Sequence, residues 1–337
     1  MTFRDREKER YRSIKPSLFS REAQQDGLYR MRSRDFCLAD ECSDENLYWG
    51  VRASAIQYFN DRRIPWHDGL KSRTVPSNHL CCSQSCCINF LYPLASKPDF
   101  VKTVLGSFYP KMAEALTFSD DQPLPDGTSP FVAFEWFGTQ DYLGESRRKG
   151  SSRTRGANAT SADFAFRFQR NDGKIQLVLG EWKYTESYGR SDLGKQKPVR
   201  KDNYRQAFLR TGGVFGPQRE SLYDAFFFDP FYQLMRLQLL AQEMEAGDLG
   251  QEMAADVVSV LHICPMANGE FREPKHVTSP GLKQEFPGKG TLEIWNELVP
   301  DDKFISISVE ELLDTISRHG QSIDSDWVSY LESRYGW

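Results

Sequence analysis

Apolar residues recur at helical spacing in "NLYWGVRASAIQYFNDRR" (46–63), including Leu47, Val51, Ile56 and Phe59, and predict a helix there. After the turn-rich "IPWHDGLKSRTVPS", Ser77 or Asn78 is positioned to cap a helix through "HLCCSQSCCINFLYPL" that ends near Pro93. Another helix is expected from Asp99 through "DFVKTVLGSFYPKMAEALTF", interrupted at Pro110. The period then changes. "FVAFEWFG" (131–138), "SADFAFRFQ" (161–169) and "KIQLVLGEWKYTE" (174–186) are short, aromatic and β-branched, bounded by Pro, Gly, Asn and Asp, as strands are. "FDPFYQLMRLQLLAQEME" opens on Asp229-Pro230 as N-cap and N1 and is apolar nearly all round, so it reads as a buried helix. "ADVVSVLHICP" (255–265) reads as a buried strand, and "TLEIWNELV" and "SVEELLDTISRHG" as two structural helices.

The expected order is therefore helices, three strands, a helix, a strand and closing helices, an α/β layer design without internal repeats. We divide it into an N-terminal extension that is partly helical or loose (1–75), a core (76–270) and a C-terminal helical extension (271–337), packed as one unit. Two connections, 139–160 and 187–227, are long for a compact domain, and such loops are commonly functional.

Composition narrows the class. The 337 residues are 39% hydrophobic and 13% aromatic, enough for a sizeable core. The charged start "MTFRDREKERYRSIKPSLFSRE" has no apolar h-region, and no stretch approaches the ~18 apolar residues of a membrane span, so neither export nor membrane association is expected. Seven cysteines, four in "CCSQSCC", fit a reducing, cytoplasmic setting, and their spacing does not suit zinc. The five histidines form no ligand pair, and His262 and Cys264 read as buried residues of a core strand. No GxxxxGK[ST] loop encodes an NTP-driven motor.

Net charge is −4, yet residues 141–210 hold 16 basic against 8 acidic side chains. The excess lies in the two long loops: Arg147, Arg148, Lys149, Arg153 and Arg155 in "ESRRKGSSRTRG", and Lys195, Lys197, Arg200, Lys201 and Arg205 in "GKQKPVRKDNYR". A polyanion-binding face and a merely solvated one both fit this distribution.

Candidate chemistry comes from the turn between the second and third strands. Asn171-Asp172-Gly173 suits a three-residue hairpin loop with glycine in the left-handed region. That loop sets Asp163 opposite Glu181 and Ser161 opposite Lys183; a two-residue loop would set Asp163 opposite Trp182 instead. Opposed side chains lie ~5 Å apart on one face, so the carboxylates of Asp163 and Glu181 converge with Lys183 beside them. Such a group is either an ion-pair cluster or a seat for a divalent ion, for which all-oxygen ligands suit Mg²⁺.

Asp163 followed by Glu181-x-Lys183 on a hairpin behind a helix resembles the PD-(D/E)XK nuclease superfamily, also called restriction-endonuclease-like, although "SAD" stands where the family name has Pro-Asp. "NHLCCSQSCCINFLYPL", "FEW", "GEWKYTE" and "FYQLMRLQLLA" look like a bacterial subfamily with a Ser-Ser-Gln helix, Cys82 standing at the first serine. The resemblance covers about residues 46–265. It implies an α-β-β-β-α-β core with a central mixed sheet, Asp163, Glu181 and the Trp182 backbone carbonyl as metal ligands, and Lys183 in catalysis. Glu135 is either a further acid of the metal site or a surface glutamate at a strand end. Gln84 either orients a site group or makes a core hydrogen bond, and Gln233 and Arg236 either reach substrate or form a polar face.

The function implied is a Mg²⁺-dependent deoxyribonuclease, with Mn²⁺ as a substitute ion, acting on double-stranded DNA in restriction or defence. A nucleic-acid-binding protein on the same fold that does not cut is the alternative. A homodimer stays open, since no heptad or apolar face marks one.

Overall fold

The computed structural model describes residues 1–119, 121–146, 153–156, 159–196, 198–320 and 324–336. In chain order it contains α1 (Phe3–Leu18), the hairpin β1 (Gly27–Tyr29) and β2 (Arg32–Arg34), α2 (Arg52–Asp61), α3 (Ser83–Leu91), α4 (Pro98–Leu105), β3 (Met112–Leu116), β4 (Val132–Trp136), β5 (Ala162–Arg170), β6 (Ile175–Trp182), α5 (Leu193–Gln196), α6 (Pro198–Phe208), α7 (Phe231–Ala246), β7 (Val257–Cys264), α8 (Pro280–Glu285), α9 (Thr291–Leu298), β8 (Phe304–Ser308), α10 (Val309–Gly320) and α11 (Ser325–Tyr335).

Six of the strands form one mixed sheet in the order β3-β5-β6-β7-β8, with β4 also pairing β5. The first half of β5 pairs with β4 and its second half with β3, so these two short strands lie end to end along one edge. β5 and β6 are antiparallel, whereas β6, β7 and β8 run parallel. The turn sets the register: the Arg170 N–H donates to the Lys174 carbonyl, Gly173 has φ +84°, and Phe164 faces Gly180. This is the three-residue loop expected from Asn171-Asp172-Gly173. A Cβ on Gly180 would lie 2.2 Å from the Phe164 ring, so only glycine fits opposite that buried side chain.

Alternation along the strands divides the core. Phe164, Phe166, Phe168, Val178 and Trp182 pack with α3, α4, α10 and α11, while Ala165, Leu177, Leu179, Val258 and Val260 pack with α6, α7 and α9 on the opposite face. The chain ends close over the first layer. Arg334 is fully buried, donates to the Asn46 carbonyl at 2.8 Å, and sits against the rings of Tyr11, Phe19 and Tyr335. Arg4 Nε donates to the Thr185 carbonyl at 2.8 Å, tying α1 to the chain just beyond β6.

Three local expectations are corrected. The helix from Asp99 stops at Leu105, and "MAEAL" is β3 instead. Met, Ala, Glu and Leu favour helix intrinsically, but the free edge of β5 offers backbone partners and two buried positions, Met112 and Ala115. Residues 271–337 are not purely helical, because Phe304–Ser308 adds the parallel edge strand β8. In α3 the N-cap is Cys82, without a side-chain capping bond, rather than Ser77 or Asn78. No helix among the described residues is long and apolar enough to cross a membrane.

Candidate active site

Directly opposed residues on neighbouring strands share a face. The pairs Phe134–Phe164, Trp136–Ala162 and Phe164–Gly180 therefore put Glu135, Asp163 and Glu181 in one row across β4, β5 and β6. β7 continues the row with His262, paired with Glu181, and β8 with Ser306. The acids open onto a cleft of about 430 Å³, closed on the other side by Tyr232, Gln233 and Arg236 of α7 and bordered by Ser161, Lys183 and Arg200.

Each acid has its own partner. Lys183 Nζ lies 2.6 Å from Glu181 Oε1, both side chains being about one-tenth exposed. The ladder between β5 and β6 opens beyond Phe164–Gly180, and the Trp182 N–H donates to Asp163 Oδ2 at 2.7 Å. Glu135 accepts from Gln84 Nε2 at 2.7 Å and from Ser161 Oγ at 3.2 Å. Gln84 in turn accepts from the His67 N–H at 2.7 Å, so the first turn of α3 is braced between a loop and the first acid.

The backbone is strained here. Glu135 has φ +50° inside a strand, a left-handed conformation costing a non-glycine residue roughly 1–2 kcal/mol. Gly156 approaches so closely that a Cβ on it would lie 2.9 Å from Glu135 Oε2. Strain of this kind persists where surrounding structure enforces it and clusters at functional sites.

The electrostatics follow from three acids facing one ammonium. Burial raises the Asp163 pKa well above the carboxylate range, and the charges of Glu181 and Glu135 add to the rise against the opposing pull of Lys183. Burial also raises Glu135, against the hydrogen bonds from Gln84 and Ser161. For Lys183 burial acts downward, but Glu181, Tyr188, Asp163 and Glu186 outweigh it, and its pKa rises well above the usual lysine value. Lys183 is thus a persistent cation. His262 is driven the other way, to about 3, by burial and then by Lys183 and Arg272, so it is neutral. Its Nδ1 bonds Ser306 Oγ at 3.1 Å and its Nε2 is buried without a partner.

The row suits a hard divalent cation. Its donors are oxygens and its carboxylates outnumber the ammonium, so an added positive charge relieves the repulsion that otherwise holds protons on the buried acids. Asp163 and Glu181 would hold such an ion, with Glu135 within the same row. As arranged, the three side chains are turned to their own partners, and no ready-made cluster of three His, Cys, Asp or Glu ligands occurs among the described residues.

A family model described as restriction endonuclease associating with ARP (REase-ARP) matches residues 10–336. The chain belongs to the REase-ARP family. It is thereby a member of a restriction-endonuclease-like nuclease family, and its helix-flanked mixed sheet is consistent with the core of that class. Neither a curated protein nor a solved structure gives a significant match to the chain.

The REase-ARP sheet does not gather all the basic residues expected to meet substrate. Arg200 lines the cleft. Arg155 pairs with Asp121 at 3.3 Å and lies over Trp136, and Arg153 donates to the carbonyls of Phe137 and Gly138. Lys201 pairs with Asp224 at 2.7 Å, Arg205 with Glu220, and exposed Lys195 lies 3.4 Å from Asp192. Arg147, Arg148, Lys149 and Lys197 fall outside the described residues. Arg236 lies 3.1 Å from Glu145, which also accepts from Thr160 Oγ1 at 2.9 Å and from the Tyr204 hydroxyl. This buried group ties α7 and α6 to the 139–160 connection at the cleft edge.

Sequence reasoning missed Ser161 as a partner of Glu135, although its parity with Asp163 in "SAD" was a usable signal. It also set His262 aside as an ordinary core residue. Only the parallel pairing of β6 with β7, which no local pattern encodes, aligns it with Glu181.

Proposed function

We propose that this REase-ARP protein is a Mg²⁺-dependent deoxyribonuclease that hydrolyses phosphodiester bonds of double-stranded DNA, in keeping with a restriction or defence role. The observation that carries the reading is the row Glu135, Asp163, Glu181 with Lys183 beside it, in a cleft edged by Arg200. Asp163, Glu181 and the Trp182 carbonyl would hold the ion, with Glu135 as a further acid; Mn²⁺ is expected to substitute. When bound, a divalent ion supplies an acidified water and a counter-charge for the phosphodiester.

The chain's own residues do the rest. Lys183, held protonated, stabilises negative charge as it develops on the phosphate. Gln84 and Ser161 fix the orientation of Glu135, and Arg200 meets the phosphate backbone at the cleft mouth. Gln233, on the α7 wall, reaches the bound strand.

A DNA-binding protein that does not cut is the competing reading, favoured by the engagement of Asp163 with the Trp182 N–H and of Glu181 with Lys183. Incubation with plasmid, linear and single-stranded DNA and with RNA, in Mg²⁺, Mn²⁺ or EDTA, separates the two. We expect metal-dependent cleavage of duplex DNA that EDTA and Glu181→Ala abolish. Cleavage that persists in either case contradicts the mechanism, and binding without cleavage in every condition supports the competing reading.

A further inference from the structure

A second feature, formed by chain segments outside the two basic loops, has the chemistry of a nucleic-acid contact. The hairpin β1–β2 closes through a two-residue turn, Tyr29 pairing with Arg32 across Arg30-Met31. Both central residues have positive φ, +50° and +63°, as such a hairpin turn requires. Asn-Gly meets that requirement with little strain, whereas arginine and methionine do not. A loop after α2 also concentrates positive φ: Leu70 bridges Val75 across four residues, and Lys71, Ser72 and Arg73 have φ of +48°, +59° and +67°, with Asp68 at +48°. Of the ten non-glycine residues with positive φ among the described residues, six lie in these two loops and a seventh is Glu135 of the acid row. Left-handed strain in this protein is therefore concentrated at the candidate active site and on one neighbouring surface.

That surface is basic with an apolar tip. Gly27–Arg34 contains Arg30, Arg32 and Arg34 and no acid. Arg30 and Arg32 are exposed, and Met31 between them is 94% exposed. Of the nearby acids, Asp35 pairs with Arg12 at 2.7 Å, Asp68 accepts from the Tyr29 hydroxyl at 3.1 Å and Asp40 from the Leu28 N–H at 2.8 Å, while exposed Asp26 flanks the hairpin. A groove of about 580 Å³, lined by Leu28, Tyr29, Arg30, His67, Asp68 and Arg73, separates the two loops. It is connected to the acid row, because the His67 N–H donates to Gln84, whose amide holds Glu135.

We propose that the Arg30-Met31 hairpin and the Lys71–Arg73 turn form a clamp for duplex DNA beside the cleft. Arg30, Arg32 and Lys71 meet phosphates, Arg73 bracing its turn through the Trp66 carbonyl at 2.8 Å, and Met31 packs as an apolar wedge against sugar or base edges. Charge complementarity selects the occupant, and the strained turns are retained because they project these side chains outward. The inference rests on the nuclease reading for its substrate, but it concerns binding and leaves the chemistry to the acid row.

The test uses the full chain and a short fluorescein-labelled DNA duplex, with anisotropy followed against NaCl in EDTA. The double variant Arg30→Glu/Arg32→Glu should bind about tenfold or more weakly, with a log–log salt slope shallower by roughly 2, since each lost phosphate contact removes about 0.9. In Mg²⁺ its KM should rise while kcat at saturating DNA stays that of the parent. Arg30→Asn/Met31→Gly should raise Tm, because the turn is relieved, and yet weaken DNA binding; a purely structural hairpin would gain stability without losing affinity. A parent that binds and cuts while the double variant keeps its affinity and slope overturns the clamp alone. A parent that neither binds nor cuts DNA overturns both readings. Unchanged affinity with an altered sedimentation coefficient assigns the hairpin to contact between copies of the chain and overturns the clamp.

Discussion

Replacing Lys183 with methionine should lower kcat for DNA cleavage by about 10²–10³-fold or more, the loss typical when one preorganised donor to developing negative charge is removed. The ammonium is poised for this role by position and by charge state. It stands 2.6 Å from Glu181 and shares the cleft with Asp163 and Glu135, and the surrounding anions hold its pKa well above the usual value despite burial. A lysine in that state donates a hydrogen bond rather than accepting a proton, so the variant should lose turnover without a large change in DNA affinity. It also leaves Glu181 without its cation, and loss of one partner from a buried pair costs about 3–5 kcal/mol. Folding is therefore checked in the presence of Mg²⁺, by Tm and circular dichroism. A folded Lys183→Met protein that cuts at the parental rate contradicts the assignment.

Asp163→Asn should have a different signature, read as stability against pH. Burial and the neighbouring acids raise the Asp163 pKa well above its unfolded value, near 3.9. A carboxyl raised on folding stabilises the fold fully below the unfolded pKa, and that contribution is lost as pH climbs through the folded one. Metal-free protein should therefore lose Tm as pH rises from about 4 through the raised folded values of Asp163 and Glu135. A divalent ion competes with those protons, so the Tm gained on adding Mg²⁺ should be larger at pH 8 than at pH 5. At a concentration 100-fold above Kd the gain corresponds to about 2.7 kcal/mol. Asp163→Asn should flatten the metal-free pH profile and remove most of the Mg²⁺ gain. A gain equal at both pH values, or undiminished in the variant, would show that this acid does not compete between proton and metal.

Much of this geometry was legible locally. The three-residue loop at Asn171-Asp172-Gly173 sets the register up to Phe164–Gly180, and with it the parity that puts Asp163 and Glu181 on one face. Short aromatic and β-branched runs bounded by breakers marked β4, β5, β6 and β7, of which β4, β6 and β7 are buried almost throughout, and the all-round apolar pattern marked α7. Most of what stayed hidden depends on partners distant in sequence. β3 is an edge strand whose composition, Met-Ala-Glu-Ala-Leu, suits helix, and only pairing with β5 decides it; β8, Phe-Ile-Ser-Ile-Ser, alternates as a strand does but was passed over between two helical runs. Composition likewise could not tell which arginines the protein uses internally, and Arg155 is taken up by Asp121 and Trp136. The positive φ of Glu135, Arg30 and Met31 is invisible to propensity, because these residues are poor choices for the conformation they adopt.

The central claim is that Asp163 and Glu181 share one divalent ion. Mn²⁺ titrated into the metal-free full chain at pH 8, with free ion followed by electron paramagnetic resonance, measures this without requiring DNA or turnover. We expect saturable binding by the parent protein, and at least about tenfold weaker binding after either Asp163→Asn or Glu181→Ala. Absence of retained Mn²⁺ in the parent, or equal retention in both folded variants, would contradict the account.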